Sequence, residues 1–198
     1  CLLGAGGVFN AVLVPQIIKA SKREDRGAEY VSRIMTLSLL FLGAVALVVT
    51  LAAPLILSVV IELTGDQLAL ATVFAYWLFP QILFYGAYAV IGQVLNANGR
   101  FGAYMWAPVV NNVVAISGLI LFINLIGRES TERFSPDNWT NSATVILAGS
   151  TTLGVALQAL VLLFPLKKLG LGLRPTFGFR GVGLGETARV AKWTIITM

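Results

Sequence analysis

Long apolar stretches separated by short polar knots organise this chain from one end to the other. Between Arg33 and Glu62 lie 28 residues without Asp, Glu, Lys or Arg; between Asp66 and Arg100 there are 33, between Arg100 and Arg128 27, and between Asp137 and Lys167 29. A helix needs about 20 residues to cross the hydrocarbon core of a bilayer, and charged side chains are so costly there that they mark where a span ends. The pattern therefore predicts transmembrane helices at 34–60, 68–95, 103–126 and 142–166. Leu2 to Ile18 is uncharged with no polar flank before it, so 1–18 reads as the C-terminal part of a further helix. A new apolar run starts after Arg189 and Lys192, so 193–198 reads as the beginning of another. The expected fold class is all-α, a polytopic transmembrane helical bundle, and its cut edges suggest an internal piece of a longer membrane protein. No signal-peptide n-region is visible.

Composition sharpens that reading. Hydrophobic residues make up 57% of the chain and charged residues 12%, against about a quarter charged in an ordinary soluble domain. The single cysteine, Cys1, and the absence of histidine remove a disulfide framework, a multi-cysteine metal site and the commonest general base. No catalytic residue, cofactor or metal is expected. The formal charge of +5 points to loops facing anionic headgroups, with no nucleic-acid partner. Lysine and arginine alternate by loop: five from Lys19 to Arg33, none around Glu62 and Asp66, one at Arg100, two at Arg128 and Arg133, six from Lys167 to Lys192. Twelve fall on one side and two on the other, so the rule that basic loops remain inside predicts that the loops near Lys22, Arg100 and Lys168 are cytoplasmic. Trp139 and Trp193, at the ends of spans, suit the interface.

The stretch 167–192 is a basic, glycine-rich connector that interleaves Phe177 and Phe179 with Arg174 and Arg180. It can lie on the inner membrane surface with its rings buried, or serve as a flexible linker. Within the spans the informative residues are polar. Gln81, Tyr85, Tyr88, Gly92 and Asn96 follow at steps of four, three, four and four, which places them on one helix face. Such a face can wall a hydrated substrate cavity, or glue helices together by hydrogen bonds; Asn10, Asn111 and Asn112 admit the same two readings. Pro54 and Pro80 sit inside predicted spans, where each removes a backbone hydrogen bond and is expected to kink its helix. Pro15-Gln16-Ile17 echoes Pro80-Gln81-Ile82, although three shared residues do not establish a repeat.

The run from Val73 to Ile116 carries Phe79-Pro80, Leu95-Asn96-Ala97, Arg100-Phe101 and Ala107-Pro108 with Asn111 and Asn112. In this it resembles the MurJ/MviN family of lipid II flippases, within the multidrug/oligosaccharidyl-lipid/polysaccharide exporter superfamily. Gly6 to Ala20, with its Val14-Pro15 pair, and the exit at Lys167 and Lys168 are similar too. The resemblance implies helices two (in part) to six and the start of seven of a two-lobed exporter fold. It further implies transfer of the undecaprenyl-pyrophosphate-linked peptidoglycan precursor, lipid II, from the inner to the outer leaflet of the bacterial plasma membrane by alternating access. Membrane lipids and other cell-wall synthesis proteins are the partners it suggests. The chain departs from the family in one respect: the arginines thought to hold the diphosphate lie on helices mainly outside these residues, and the four complete spans carry no charge. Asn10, Gln81, Tyr85, Tyr88, Asn111 and Asn112 are then the candidates for the cavity wall. Two alternatives stay open, namely export of another polysaccharide-lipid or drug by a related transporter, and a non-transporting scaffold for cell-wall synthesis. Enzymatic activity is not expected, since hydroxyls without a base have no means of activation.

Overall fold

The computed structural model describes residues 15–20, 27–63, 65–126 and 139–177. Asn10, most of 1–18, the connector beyond 177 and the stretch 193–198 lie outside them. The described residues are helical or irregular and contain no strand. In chain order the helices are α1 (Ala28–Leu51), α2 (Ala53–Val60), α3 (Asp66–Leu78), α4 (Gln81–Ala97), α5 (Phe101–Leu125), α6 (Asn141–Leu160) and α7 (Leu163–Lys167); a short helical stretch, 15–20, precedes them. Among the described residues, four helical segments are long and apolar enough to cross a membrane: Ala28–Leu51, Asp66–Ala97, Phe101–Leu125 and Asn141–Lys167.

Local chemistry explains where these helices begin, break and end. α1 starts six residues before the charge-free run, because Glu29 and Arg33 pair one turn apart at 2.5 Å. Glutamate N-terminal to arginine is the favourable order, and its charge suits the helix start. α1 gives way to α2 at Ala52, and Pro54 occupies the first turn of α2, where a missing N–H has no intrahelical partner to lose. The break between α3 and α4 falls at Phe79 and Pro80; there the amides of Ile82 and Leu83 reach back three residues, to Phe79 and Pro80. α4 ends in a Schellman turn. The amide of Arg100 bonds Leu95 O, that of Gly99 bonds Asn96 O, and Gly99 sits at φ 72°, a conformation open to glycine at little cost. Three residues thus suffice to start α5.

Four of the hydroxyls along the spans are satisfied within their own helices. Thr36, Thr50, Thr72 and Ser117 each donate to the carbonyl four residues earlier, at 2.6–2.7 Å, so none carries an orphaned donor into an apolar environment.

Two compact units divide the described residues. The first holds 15–20, 27–40, 86–105 and 161–177. Its core is built from large aliphatic side chains: Val31, Val94, Leu95 and Leu162 are all but inaccessible. Tyr30 joins that core and donates to Gln16 Oε1 at 2.5 Å. The second holds 41–63, 65–85, 106–126 and 139–160, and within it α3 packs against α2 and α6. Its buried residues are mostly small: Ala46, Ala53, Ala75, Ala107, Ala143, Ala148, Gly118 and Gly154. Small residues let helix backbones approach closely, the packing mode of helices in lipid. Large apolar side chains instead face outward, with Leu51 70%, Val59 78% and Val60 73% exposed. Apolar faces of this extent suit hydrocarbon rather than water.

Candidate functional site

The polar face that begins at Gln81 belongs to α4, and its residues divide between the two compact units. In the second unit, Gln81 opens α4 directly after the Pro80 break and donates from Nε2 to Thr152 Oγ1 on α6 at 2.8 Å. The same Thr152 hydroxyl donates to Trp77 O, also at 2.8 Å. Trp77 O lies near the end of α3, where the regular ladder is interrupted. One threonine thus ties both sides of a proline break: it caps a carbonyl before it and holds the first side chain after it. Membrane helices tolerate proline when a neighbouring helix satisfies the freed groups in this way.

Asn111 lies on α5 against Gly154 of α6; a Cβ at residue 154 would collide with its side-chain oxygen and crowd its backbone. Gly118 is similarly closed over by Ser150. Tyr85 is 48% exposed, and Asn112 is exposed as well. Aromatic rings also cluster in this unit. Trp139 donates to Thr144 Oγ1 at 2.8 Å and rests between Phe74 and Phe122, at centroid distances of 5.8 and 6.1 Å.

In the first unit, Tyr88 stacks on Tyr104 of α5 at 4.7 Å between centroids, with planes 15° apart, and donates its hydroxyl to Tyr104 O at 3.1 Å. Sequence chemistry explains that acceptor. Tyr104 O lies four residues before Pro108, which has no N–H to offer it, and α5 nevertheless continues without interruption. Tyr88 supplies the donor that Pro108 lacks. Gly92, one turn along α4, is where the Tyr104 ring lies, with no room for a Cβ. Gln93 is 3% exposed with its Oε1 unpartnered, and the Oδ1 of Asn96 is likewise buried without a partner.

The structure therefore engages Gln81, Tyr88 and Asn111 in contacts between helices and leaves Tyr85 and Asn112 exposed, while Asn10 falls outside the described residues. A cavity of about 350 Å³ is lined by Met35, Leu163, Leu166, Lys167, Leu171, Gly172 and Leu173, none of them a candidate from the polar stripe. Sequence reading missed Thr152, Tyr104 and Gln93. Thr152 and Tyr104 look ordinary in a membrane helix, and only their partners reveal them. Gln93 lies beside the stripe rather than on it, although an amide in a charge-free span was a signal in itself.

Compared with known proteins, residues 2–198 match the family model of the lipid II flippase MurJ. The chain belongs to the MurJ family. A relative from Synechocystis sp., described as a probable lipid II flippase MurJ, is 27% identical over 190 residues, which cover 94% of this chain and 34% of the relative. The chain thus spans about a third of the length of that curated relative. With four helices of membrane-crossing length and composition, this MurJ-family chain is a multi-pass membrane protein.

Charge is partitioned within the MurJ-family chain. Among the described residues, Lys19, Arg33, Arg100, Lys167, Lys168 and Arg174 all lie in the first unit. Among the described residues of the second unit, the charged side chains are Glu62 and Asp66, both acidic. Lys168 places its ammonium 4.3 Å from the centre of the Phe164 ring, within the range of a cation–π contact. Among the described residues no cluster of metal-binding side chains is present.

Proposed function

We propose that this chain is part of a lipid II flippase of the bacterial plasma membrane, moving the lipid-linked peptidoglycan precursor from the inner to the outer leaflet by alternating access. The observation that carries the reading is the match to the family model along residues 2–198. Physical considerations support it. A diphosphate headgroup has a prohibitive cost in hydrocarbon, so its passage demands a hydrated route between helices that opens to one side at a time. Polar groups buried among apolar spans, such as Gln93 and Asn96, suit the lining or support of such a route.

Within this reading Tyr85 and Asn112 are the wall residues free to meet the substrate. Gln81, Tyr88 and Asn111 shape the wall by holding helices in place, and Asn10 is assigned to the same wall. Gathering of the described basic side chains in one unit favours an orientation in which the loops near Lys22, Arg100 and Lys168 are cytoplasmic, where they also meet anionic lipid headgroups. The charged site for the diphosphate either lies on helices beyond these residues or is altered in this chain.

Depleting the full-length protein tests the assignment. Lipid II should accumulate in the inner leaflet and become inaccessible to a probe added outside the cell. Normal surface exposure after depletion, with no compensating flippase, would overturn it.

A further inference from the structure

After α7 the chain turns through 168–170 and then runs without regular secondary structure from 171 to 177. Two of its amides are held by one face of α1. The N–H of Arg174 donates to Ser32 Oγ at 3.2 Å, and that of Thr176 donates to Thr36 Oγ1 at 3.1 Å. The spacings match. Residues four apart on a helix are separated by about 6 Å along its axis, and alternate residues of an extended chain by about 6.6 Å. Pro175, between the two donors, has no N–H to leave unsatisfied and keeps Arg174 in an extended conformation. Thr176 Oγ1 folds back to Arg174 O at 3.0 Å.

Little else secures this segment from within. The cavity of about 350 Å³ lies between it, α1 and α7, bounded by Met35, Leu163, Leu166 and Lys167 on the helices and by Leu171 and Leu173 on the segment. Leucines facing empty space forgo part of the dispersion energy of close packing. Arg174 and Pro175 are exposed, whereas Ser32 is 5% exposed. Lifting the segment would orphan no strong group. Both amides would pass to solvent, and the Thr36 hydroxyl already donates to Ser32 O at 2.7 Å within α1. A docked and an undocked arrangement thus differ by two neutral hydrogen bonds and an incompletely filled apolar contact. Such segments belong to the low-stability end of a fold, where functional motions are found.

We propose that residues 171–177 form a releasable strap, docked on Ser32 and Thr36 of α1 in one state of the transport cycle and lifted from them in another. The proposal rests on the transporter reading, and its test separates the two. In the full-length protein freed of other cysteines, Thr36→Cys is combined with Thr176→Cys, two positions joined by the Thr176 N–H to Thr36 Oγ1 bond, and disulfide formation on oxidation is verified by mass before flipping is measured. Reduced protein should flip lipid II. Oxidation should lower its rate by roughly tenfold or more, as expected if the strap must open, and reduction should restore it. An unchanged rate in fully cross-linked protein overturns the proposal, whereas absence of flipping in the unmodified parent overturns the transporter reading alone.

Hydrogen exchange gives a readout that needs no transport and no cysteine. The amides of Arg174 and Thr176 should exchange far faster than those of the α1 interior. Ser32→Ala with Thr36→Val should accelerate them by roughly tenfold, the equivalent of losing about one net hydrogen bond each. Exchange as slow as in the α1 interior, or unaltered by the two substitutions, sinks the strap whatever the flipping assay reports.

Discussion

Single side chains hold this bundle together at the places where its backbone is incomplete. Thr152 both donates to Trp77 O and accepts from Gln81, so Thr152→Val removes two bonds at nearly constant volume. The expected loss is about 1–3 kcal/mol, since two polar groups lose their partner in an apolar setting. Thermal unfolding in detergent should show the drop, and Thr152→Ser should recover most of it. Glycine positions divide by what surrounds them. Gly92→Ala forces a methyl into the Tyr104 ring and should cost about 1–3 kcal/mol, typical of overpacking. Gly43→Ala, in open space on α1, should stay within about 0.5 kcal/mol or gain slightly from helix propensity. Equal melting temperatures for the two variants would contradict the close approach of α4 and Tyr104. Neither Thr152 nor Tyr104 was legible in the sequence, because a hydroxyl's importance lies in a carbonyl that only a neighbouring helix brings near.

Elements show how proline is accommodated in two ways. Pro80 interrupts the ladder between α3 and α4, whereas Pro108 leaves α5 continuous; in the second case Tyr88 replaces the missing donor at Tyr104 O. A double-mutant cycle makes this quantitative. Tyr88→Phe should destabilise the protein by about 1 kcal/mol, and the cost should shrink in a Pro108→Ala background, where the restored N–H of residue 108 serves Tyr104 O. Additive effects, with no coupling beyond about 0.3 kcal/mol, would show that the hydroxyl acts independently of the proline. The start of α1 also lies outside the charge-free run that marks it in the sequence. Ionic groups end a span in hydrocarbon but not a helix, and the Glu29–Arg33 pair extends α1 because a solvated i, i+4 pair favours further helical turns.

For the whole molecule, the testable quantity is sidedness. Among the described residues every lysine and arginine belongs to the unit built from 15–20, 27–40, 86–105 and 161–177. Single cysteines placed at Lys22 and Lys168 of the full-length protein should therefore react with a membrane-impermeant reagent from the same side, and one at Glu62 from the other. Labelling of Lys22 and Lys168 from opposite faces would refute the proposed topology. Apolar exteriors such as Val59 and Val60 should also make the protein dependent on detergent or lipid for solubility, as buried-type surface left open drives aggregation in water.

The sequence by itself determined the solvent and the fold class. Long runs without ionisable groups leave a helix in lipid as the structure that satisfies every backbone donor and acceptor, and no partner elsewhere in the chain is needed to reach that conclusion. The Phe79-Pro80 to Asn112 run was specific enough to carry the family resemblance as well. Tertiary structure decided which polar residues are spent on holding helices together and which remain exposed. A periodicity of three and four places Gln81, Tyr85, Tyr88 and Asn96 on one face but says nothing of what opposes it. Once α6 brings Thr152 to Gln81 and α5 brings Tyr104 to Tyr88, the same stripe separates into residues that join helices and residues that stay exposed. Hydrogen bonds are short-ranged and directional, so their partners exist only after the helices have been set side by side.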